Sequence, residues 1–405
     1  MSPSALDVLR SLHHHCTGAG LPPPAALIGS WYGADAVIAP SVEIVAGLAP
    51  PDDPDRFWFG YLGFPVNASK APFPTAAGGL VDGVLLLRDG QWSWTDVTGA
   101  DAPDWVTGAL RWSGPDDGGR VTARHERSYR DPEPIAHWQT PSAHRRDEHR
   151  RAVTNALEAI GAGEIYQACI CTRFDGVLDG DPVDFFGAVA AATAPRKAAF
   201  LQGDWGTVAS FSPETFLNRR DGAVTSSPIK GTLPAHGDPR DLAMSVKDVA
   251  ENVMIVDLVR NDLGRVAAVG SVTVPELLTD VGAPGVWHLV STVRAELSDH
   301  IGNDALLEAT FPPASVTGTP KIRAAELIGQ WEPLSRGVYC GAIGIAGPKH
   351  ALDLSVAIRT VEIDADGQMR LGVGGGITID SDVDREWQEC LDKAVAIVDA
   401  LPIPP

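Results

Sequence analysis

The most distinctive stretch of the sequence reads Asp248-Val-Ala-Glu251-Asn252-Val-Met254-Ile-Val-Asp257-Leu-Val-Arg260-Asn261-Asp262. Its apolar spacing predicts one long helix over about residues 241 to 259. Asp248 and Glu251 are three positions apart, so they share one face of that helix. The stretch therefore predicts a helix that presents two carboxylates on the same side.

A second pair of acids repeats this spacing near the end of the sequence. A helix is predicted over residues 383–400, with Glu386 and Glu389 at the margin of its apolar face. Two such faces could hold one Mg²⁺ ion, because Mg²⁺ binds one or two carboxylates together with water and substrate oxygens. The alternative is that both pairs are solvated, with Glu389 and Lys393 forming an ordinary i,i+4 ion pair.

Short strands are predicted between these helices and before them. Residues 165–174 alternate with a period of two, which places Gln167, Cys169, Cys171 and Arg173 on one face of a strand. Tryptophan-rich segments cut by Gly, Pro and Asp predict mostly strands and loops in the first 138 residues. Residues 113–145 read as a surface connection, so we predict a β-rich part at 1–140 and a catalytic part at 141–405.

The charge balance excludes several classes of partner. The 405 residues include 32 Lys and Arg against 52 Asp and Glu, a net charge of −20. Such a charge argues against binding to nucleic acid or to an anionic membrane surface. The sequence contains no run of about 18 apolar residues, so no membrane span is expected. The first 20 residues do not resemble a signal peptide, and the five cysteines are scattered, so we expect a reduced cytoplasmic protein.

Two residues are candidates for covalent and acid–base chemistry. Lys230 lies in Ser227-Pro-Ile-Lys230-Gly-Thr232, between a strand end and a glycine. A lysine that is partly desolvated, or close to another cation, becomes a neutral amine and a nucleophile. Glu214, at a strand break nearby in the sequence, could be a general acid. Taken singly, an ordinary surface lysine and a turn glutamate remain the alternatives.

Further residues are candidates for substrate binding. Arg359 ends an alternating strand and could bind a carboxylate, and His288 lies in an apolar segment. A structural ion pair and a core histidine are the alternatives. The glycine runs 318–321 and 372–377 could present backbone N–H groups to an anion. Nucleotide-binding, zinc-protease and serine-hydrolase motifs are absent from the sequence. Together these signals suit a dicarboxylate substrate with a bound cation.

The ordered set of motifs resembles the chorismate-utilising enzymes over about residues 145–400. It comprises the Asp248–Asp262 stretch, Trp287-His288-Leu-Val-Ser291-Thr292, Ser315-Val-Thr-Gly318-Thr319-Pro320-Lys321, Gly337-Val-Tyr339-Cys340-Gly341, Ile358-Arg359-Thr360, the 372–377 run and Glu386-Trp-Gln-Glu389. This resemblance implies an anthranilate-synthase component I-like α/β (α+β) fold. In that fold two packed, mostly antiparallel β-sheets are flanked by helices, and the site lies in a cleft.

Two positions distinguish the reactions within this family. Lys230 in Pro-Ile-Lys-Gly-Thr resembles the aminodeoxychorismate synthase component I subfamily, whereas anthranilate synthase component I typically has alanine there. Gln167 is the form found in ammonia-using members, whereas isochorismate and salicylate synthases typically carry a lysine that activates water. The resemblance therefore implies addition of ammonia at C4 of chorismate.

The resemblance also implies a role for each matching residue. Mg²⁺ would be held by Glu251 and Glu389, with Asp248 and Glu386 in support. Lys230 would attack C2 of chorismate while Glu214 protonates the departing C4 hydroxyl, and His288 would act near C4. The residues implied in substrate binding are Gln167, Thr232, Gly318, Thr319, Tyr339, Arg359, Gly374, Gly375, Gly376 and Lys393.

The ammonia implies a partner, because none of the cysteines lies in a Gly-x-Cys-x-Gly nucleophile loop. We therefore expect a separate glutamine amidotransferase subunit, and a product that leads to 4-aminobenzoate and folate. The alternatives are anthranilate synthase component I, isochorismate or salicylate synthase, and a catalytically inactive chorismate-binding homologue.

Overall fold

A computed structural model describes residues 3–52, 54–111, 134–283 and 285–401. The strands of these residues form two large sheets, and every strand pairing within the described ranges is antiparallel. The predicted arrangement of two mostly antiparallel sheets with flanking helices is confirmed. Strands are numbered β1 to β21 and helices α1 to α9 along the described chain.

The first sheet contains the strand predicted around Gln167. Its members are β1 (Ala25–Trp31), β2 (Ala34–Ala39), β6 (Gly83–Arg88), β7 (Gln91–Asp96), β8 (Ile135–Trp138), β9 (Gln167–Asp179), β10 (Lys197–Gly203), β11 (Gly206–Ser212), β17 (Gly318–Thr319), β20 (Thr360–Ile363) and β21 (Gln368–Ile377). Their spatial order is β17-β9-β21-β20-β11-β10-β1-β2-β6-β7, and β8 pairs with the far end of β9.

The second sheet contains the strand that carries Lys230. Its members are β3 (Val45–Ala46), β4 (Phe57–Leu62), β5 (Ala76–Val81), β12 (Thr215–Arg220), β13 (Ala223–Ser227), β14 (Ile229–Pro234), β15 (Thr273–Ala283), β16 (Val286–Glu296), β18 (Ala342–Gly347) and β19 (Ala351–Val356). Their order is β14-β16-β13-β12-β19-β18-β4-β5-β3, with β15 beside β16. The hairpin turn between β12 and β13 lies at Asp221-Gly222, as predicted, and both residues have positive φ.

Helices cover the outer faces of both sheets. They are α1 (Ala5–Ala19), α2 (Asp104–Ala109), α3 (Ala143–Gly161), α4 (Pro182–Thr193), α5 (Arg240–Met244), α6 (Val246–Gly264), α7 (Asn303–Thr310), α8 (Lys321–Trp331) and α9 (Val383–Val398), with short 3₁₀ turns at Ala68–Lys70 and Ala314–Val316. No helix within the described residues is long and apolar enough to cross a membrane.

The interior between the sheets is an apolar core drawn from both. Leu27 and Trp31 of β1 pack in one cluster with Phe59 and Tyr61 of β4, and all four are fully buried. Burial of such side chains contributes about 1.5–3 kcal/mol each, so this layer fixes how the sheets lie against each other. A second cluster joins β9 and β21 to α4 and α9, and a third joins the second sheet to α6. These clusters position the strand ends that carry the predicted site residues.

The helix predicted over 241–259 is wrong in one respect, because the chain forms two helices there. α5 ends at Met244, and Ser245 leaves the helical conformation with φ −71° and ψ 108°. Its hydroxyl accepts a hydrogen bond from the backbone N–H of Asp248 at 3.2 Å and so caps α6. Beyond the break, Asp248 in the first turn of α6 lies beside Gly231 of β14 in the second sheet.

Two other predictions differ from the described structure or lie partly outside it. The N-terminal part, expected to hold mostly strands and loops, also contains α1, which begins with a capping box between Ser4 and Asp7. The surface connection predicted over 113–145 lies largely outside the described residues, and its described end contains β8 and the start of α3. Strands from before and after residue 140 occur in both sheets, and the division of the chain at that point stays a prediction.

Candidate active site

Lys230 and Gln167 meet at the end of β21. A side-chain carbon placed on Gly376 would lie 2.5 Å from Nε2 of Gln167 and 3.3 Å from Nζ of Lys230. A larger residue there would have to displace the glutamine amide. Lys230 comes from the second sheet and Gln167 from the first, so the packing of the two sheets brings this pair together.

The ammonium group of Lys230 is held in place by a backbone oxygen. Its Nζ donates a hydrogen bond to the carbonyl of Ser315 at 3.1 Å, and its side chain is half-buried. Ser315 lies in the 3₁₀ turn that leads to β17, whose Gly318 and Thr319 pair with Ala168 and Gln167 at the start of β9. The predicted 318–319 cradle therefore lies beside the lysine.

Glu214 is buried close to Lys230 and is poised as an acid. It is 4% exposed and precedes β12 directly. Burial raises the pKa of Glu214 to about 7, although the nearby Ser315 hydroxyl and the charge of Lys230 favour the ionised form. A carboxyl with such a pKa holds its proton for part of the time at neutral pH, which suits a general acid.

His288 lies opposite Thr232 on the neighbouring strand and is neutral. Its Nδ1 is 3.0 Å from Oγ1 of Thr232, and its Nε2 is buried without a hydrogen-bond partner. Burial lowers the pKa of His288 to about 4, and the charge of Arg359 acts in the same direction. Arg359 itself is held with φ +51°, a left-handed backbone conformation that is costly for arginine.

Tyr339 packs against β21 four residues before Gly376. A side-chain carbon on Gly372 would lie 2.2 Å from Cγ of Tyr339, so the ring rests directly on the glycine backbone. Burial raises the pKa of Tyr339, which keeps its hydroxyl protonated. Glu362 of β20 accepts a hydrogen bond from the N–H of Val338 at 2.6 Å and thereby fixes the loop that carries the tyrosine.

A buried ion pair supports the cysteine-bearing part of β9. Arg336 donates to Oε1 of Glu332 at 2.7 Å and to the carbonyl of Cys169 at 2.7 Å. Glu332 in turn accepts the N–H of Cys171 at 2.9 Å. Both charged side chains are almost fully buried, so removing either partner would leave the other charge unpaired. The pair supports the stretch of β9 between its pairings with β17 and β8, where no other described strand covers that edge.

The four predicted acidic residues, Asp248, Glu251, Glu386 and Glu389, form one edge of the candidate site, called the acidic edge below. Glu386 is 3% exposed and Glu251 is 8% exposed. A carbon on Gly375 would lie 3.0 Å from Oε2 of Glu386 and 3.4 Å from Oε1 of Glu389. A carbon on Gly231 would lie 3.1 Å from Cβ of Asp248. α6 therefore lies beside Gly231, next to Lys230 in the sequence, and α9 lies beside Gly375 of β21.

Two lysines, Lys247 and Lys393, form ion pairs with these carboxylates. Lys247 Nζ lies 3.3 Å from Oε1 of Glu386 and 3.9 Å from Oε1 of Glu251. Lys393 pairs with Glu389 at 2.7 Å and donates to the carbonyl of Gly374 at 2.8 Å. Within the described ranges, no three His, Cys, Asp or Glu side chains are arranged closely enough to hold a metal ion.

The acidic edge nevertheless fits a hard cation in one respect. Oε1 of Glu251 and Oε2 of Glu386 are buried without hydrogen-bond partners. Buried carboxylate oxygens without partners are costly, and a cation or a donor is what satisfies them. Burial raises the pKa of Glu251, against the charges of Lys230 and Lys247, so its carboxylate lacks full compensation. Two such oxygens match the one or two carboxylates that Mg²⁺ uses.

Other polar atoms around the cavity also lack partners. They are Oε1 of Gln167, Nε2 of His288 and Oγ1 of Thr319. Since buried polar groups are nearly always hydrogen-bonded, this concentration makes the region a candidate site for a polar ligand. The candidate site thus combines Lys230, the buried carboxyl of Glu214, a neutral histidine and unpaired donors and acceptors.

These features agree with a comparison of the sequence with protein families. The family model described as chorismate binding enzyme matches residues 41–399. The chain belongs to this family. The match begins well before residue 145, so the chorismate binding enzyme sequence includes part of the tryptophan-rich region.

Two known proteins illustrate the range of similar activities within the family. Aminodeoxychorismate synthase component 1 from Salmonella typhimurium is 43% identical over 247 residues, 59% of this chain and 54% of that protein. Anthranilate synthase component 1 from Streptomyces coelicolor is 33% identical over 392 residues, 90% of this chain and 76% of that protein. The chain therefore spans about half the length of the first of these relatives.

A solved structure confirms the predicted fold. Anthranilate synthase component I from Streptococcus pneumoniae superposes with a TM-score of 0.70, at 23% identity, covering 93% of this chain and 91% of that one. The anthranilate-synthase component I-like arrangement expected for a chorismate binding enzyme is thus present.

Sequence reasoning missed Lys247 and Ser315. Lys247 precedes Glu251 by four positions, an i,i+4 spacing that was available in the sequence and predicts an ion pair. Its second contact, to Glu386, crosses 139 residues of chain and is visible only in the fold. Ser315 stands in the quoted Ser315-Val-Thr-Gly318 motif, but its bond to Lys230 uses a backbone carbonyl, which no side-chain pattern reveals.

Proposed function

We propose that the chain is aminodeoxychorismate synthase component I, which converts chorismate and ammonia to 4-amino-4-deoxychorismate. One observation carries this proposal: Lys230 and Gln167 converge on Gly376, with Glu214 buried within the electrostatic reach of the lysine. A lysine at this position, beside glutamine in place of a second lysine, favours amination at C4. The Salmonella relative, at 43% identity, supports the same activity.

The reaction runs through a covalent intermediate. Lys230 first loses a proton from its ammonium group to solvent. Its amine then attacks C2 of chorismate, the ring double bonds shift, and the C4 hydroxyl leaves as water with the proton of Glu214. Ammonia then attacks C4, the double bonds shift back, the lysine leaves C2 as an amine, and the new C4 ammonium group returns a proton to Glu214. Splitting one displacement into two steps lowers each barrier. Burial raises the pKa of Glu214 to about 7, so a substantial fraction of the carboxyl is protonated at neutral pH and can donate at the first step.

The other side chains bind and orient the substrate. Arg359, Tyr339 and the backbone N–H groups at 318–319 and 374–376 bind the carboxylates of chorismate. Neutral His288 contacts the C4 side through its unpartnered Nε2. Glu251 and Glu389, supported by Asp248 and Glu386, would hold Mg²⁺, which would supply positive charge for the ring carboxylate.

Ammonia comes from a separate glutamine amidotransferase subunit, a proposal that the name component 1 of the Salmonella relative supports. The product leads to 4-aminobenzoate and folate in the cytoplasm. Free ammonium salts replace the partner in vitro, because they supply NH₃ directly.

The test is an assay of the purified chain with chorismate, Mg²⁺ and ammonium at mildly alkaline pH, with products identified by mass spectrometry. We expect 4-aminobenzoate only when aminodeoxychorismate lyase is added. Lys230→Ala should abolish the product, whereas Lys70→Ala, a surface lysine of the 3₁₀ turn at Ala68–Lys70, should retain it. Full activity of Lys230→Ala would contradict the covalent mechanism, and chorismate binding without any turnover would favour an inactive homologue.

A second candidate function is anthranilate synthesis. The similarity to the Streptomyces coelicolor anthranilate synthase component 1, which extends over 90% of this chain, supports it. Anthranilate in the same assay, without lyase, would establish this alternative. Isochorismate or salicylate would instead show that water enters the site despite Gln167.

A further inference from the structure

We propose that Lys247 is a displaceable counter-ion of the acidic edge. It links α6 to α9 while no divalent cation is bound, and a divalent cation binds only when the lysine is released. The inference rests on the metal site of the proposed function, and it adds a residue that regulates the occupancy of that site.

The first support is the position of the ammonium group. Lys247 lies in the first turn of α6, and its Nζ is 3.3 Å from Oε1 of Glu386 on α9 and 3.9 Å from Oε1 of Glu251 on its own helix. Glu389 also lies within its electrostatic reach. One ammonium group therefore serves the acids of two helices that are far apart in the sequence.

The second support is the incomplete satisfaction of these acids. Oε1 of Glu386 also accepts from the hydroxyl of Ser381 at 2.7 Å, but its Oε2 is buried without a partner. Oε1 of Glu251 likewise has no hydrogen bond, since 3.9 Å exceeds hydrogen-bond distance. A single-charged ammonium thus neutralises the edge only in part. A doubly charged ion with several oxygen ligands satisfies it better.

The third support is that the two cations exclude each other. A divalent ion held by Glu251 and Glu389, with Glu386 in support, would share the carboxylates that Lys247 now faces, and a lysine ammonium and a divalent cation among the same carboxylates repel each other. The side chain of Lys247 is 42% exposed, so its flexible stem can carry the ammonium group into solvent. Release therefore needs no change in the fold.

A purely structural ion pair predicts something else. If Lys247 only positioned Glu386 for the metal, removing it would weaken metal binding. If it competes with the metal, removing it strengthens binding, because the competitor and its repulsion disappear together. The sign of the change separates the two roles.

The experiment is a calorimetric titration of the purified full-length chain with MgCl₂ at constant ionic strength. We expect Lys247→Met to bind Mg²⁺ about tenfold more tightly than the wild type, the equivalent of about 1.4 kcal/mol. Lys247→Arg keeps the charge and should bind at most as tightly as the wild type. Lys70→Met, with the same loss of charge in the turn at Ala68–Lys70, should leave the affinity unchanged.

Thermal unfolding gives a second readout that does not depend on activity. Without metal, Lys247→Met should unfold at a lower temperature than the wild type, because the buried acids lose their counter-ion. With saturating Mg²⁺ the difference should shrink or reverse. Equal or weaker Mg²⁺ binding by Lys247→Met would overturn the inference and leave the proposed function intact. Absence of Mg²⁺ binding to both proteins would overturn the inference and remove the metal from the proposed function.

Discussion

Thr232 and His288 form a hydrogen-bonded pair across two neighbouring strands, with Oγ1 of the threonine 3.0 Å from Nδ1 of the histidine. They lie directly opposite each other in the register of β14 and β16. The hydroxyl fixes the imidazole ring and leaves Nε2 free for a ligand. Because its pKa is lowered to about 4, His288 meets that ligand as a neutral group.

We therefore expect Thr232→Val to lower kcat about tenfold, since one lost hydrogen bond of about 1.4 kcal/mol corresponds to that factor. Thr232 is exposed, so the unfolding temperature should change little. Thr232→Ser keeps the hydroxyl and should retain activity. Steady-state assays with chorismate and ammonium check this, and equal losses in both variants would show that the hydroxyl does not act through the histidine.

Glu214 predicts a pH dependence of kcat/KM. Only the protonated carboxyl donates to the leaving hydroxyl, so kcat/KM should fall as the pH rises through about 7, at a fixed concentration of free NH₃. Glu214→Gln cannot donate that proton, and we expect it to lose about 10²–10⁴-fold in kcat and to lack this limb. Glu326→Gln, on the exposed side of α8, is the matched control. A wild-type profile without a decline near pH 7 would contradict the role.

The raised pKa of Glu362 predicts that the free energy of unfolding decreases as the pH rises. Burial raises its pKa from 4.5 to about 7, so between these values the folded chain holds a proton that the unfolded chain has released. The unfolding free energy should therefore decrease over this range, by about 3 kcal/mol at most for this group. Glu362→Gln should remove that part of the decrease, as measured by urea unfolding at pH 5 and pH 8. Identical pH dependence in both proteins would refute the assignment.

The buried ion pair between Lys197 and Asp353 joins the two sheets, and we expect the effects of its two substitutions on the free energy of unfolding to be strongly coupled. Their Nζ and Oδ1 atoms are 2.6 Å apart, and both side chains are at most 3% exposed. Nζ also lies 3.9 Å from the ring centroid of Trp31. Lys197→Met or Asp353→Asn alone should cost about 3–5 kcal/mol, because each leaves a buried group without its partner. The double variant should lose clearly less than the sum, and strict additivity in denaturant unfolding would disprove the coupling.

The sequence by itself determined the local elements and the identity of the reactive groups. Alternation predicted β9, which begins two residues later than expected, at Gln167. Helical spacing predicted α9 and its two acids, and the ordered motifs indicated the family now matched over residues 41–399. These properties are local, since periodicity and short motifs depend on neighbours within one turn or one strand.

Only the tertiary structure decided how those groups act on one another. The pKa of Glu214 depends on burial beneath segments distant in sequence, and the contact from Lys247 to Glu386 joins two helices across the site. The buried pair of Lys197 and Asp353 joins β10 of one sheet to β19 of the other. Burial and long-range contacts arise when the two sheets pack, because desolvation and electrostatic coupling depend on distance in space and not on distance along the chain.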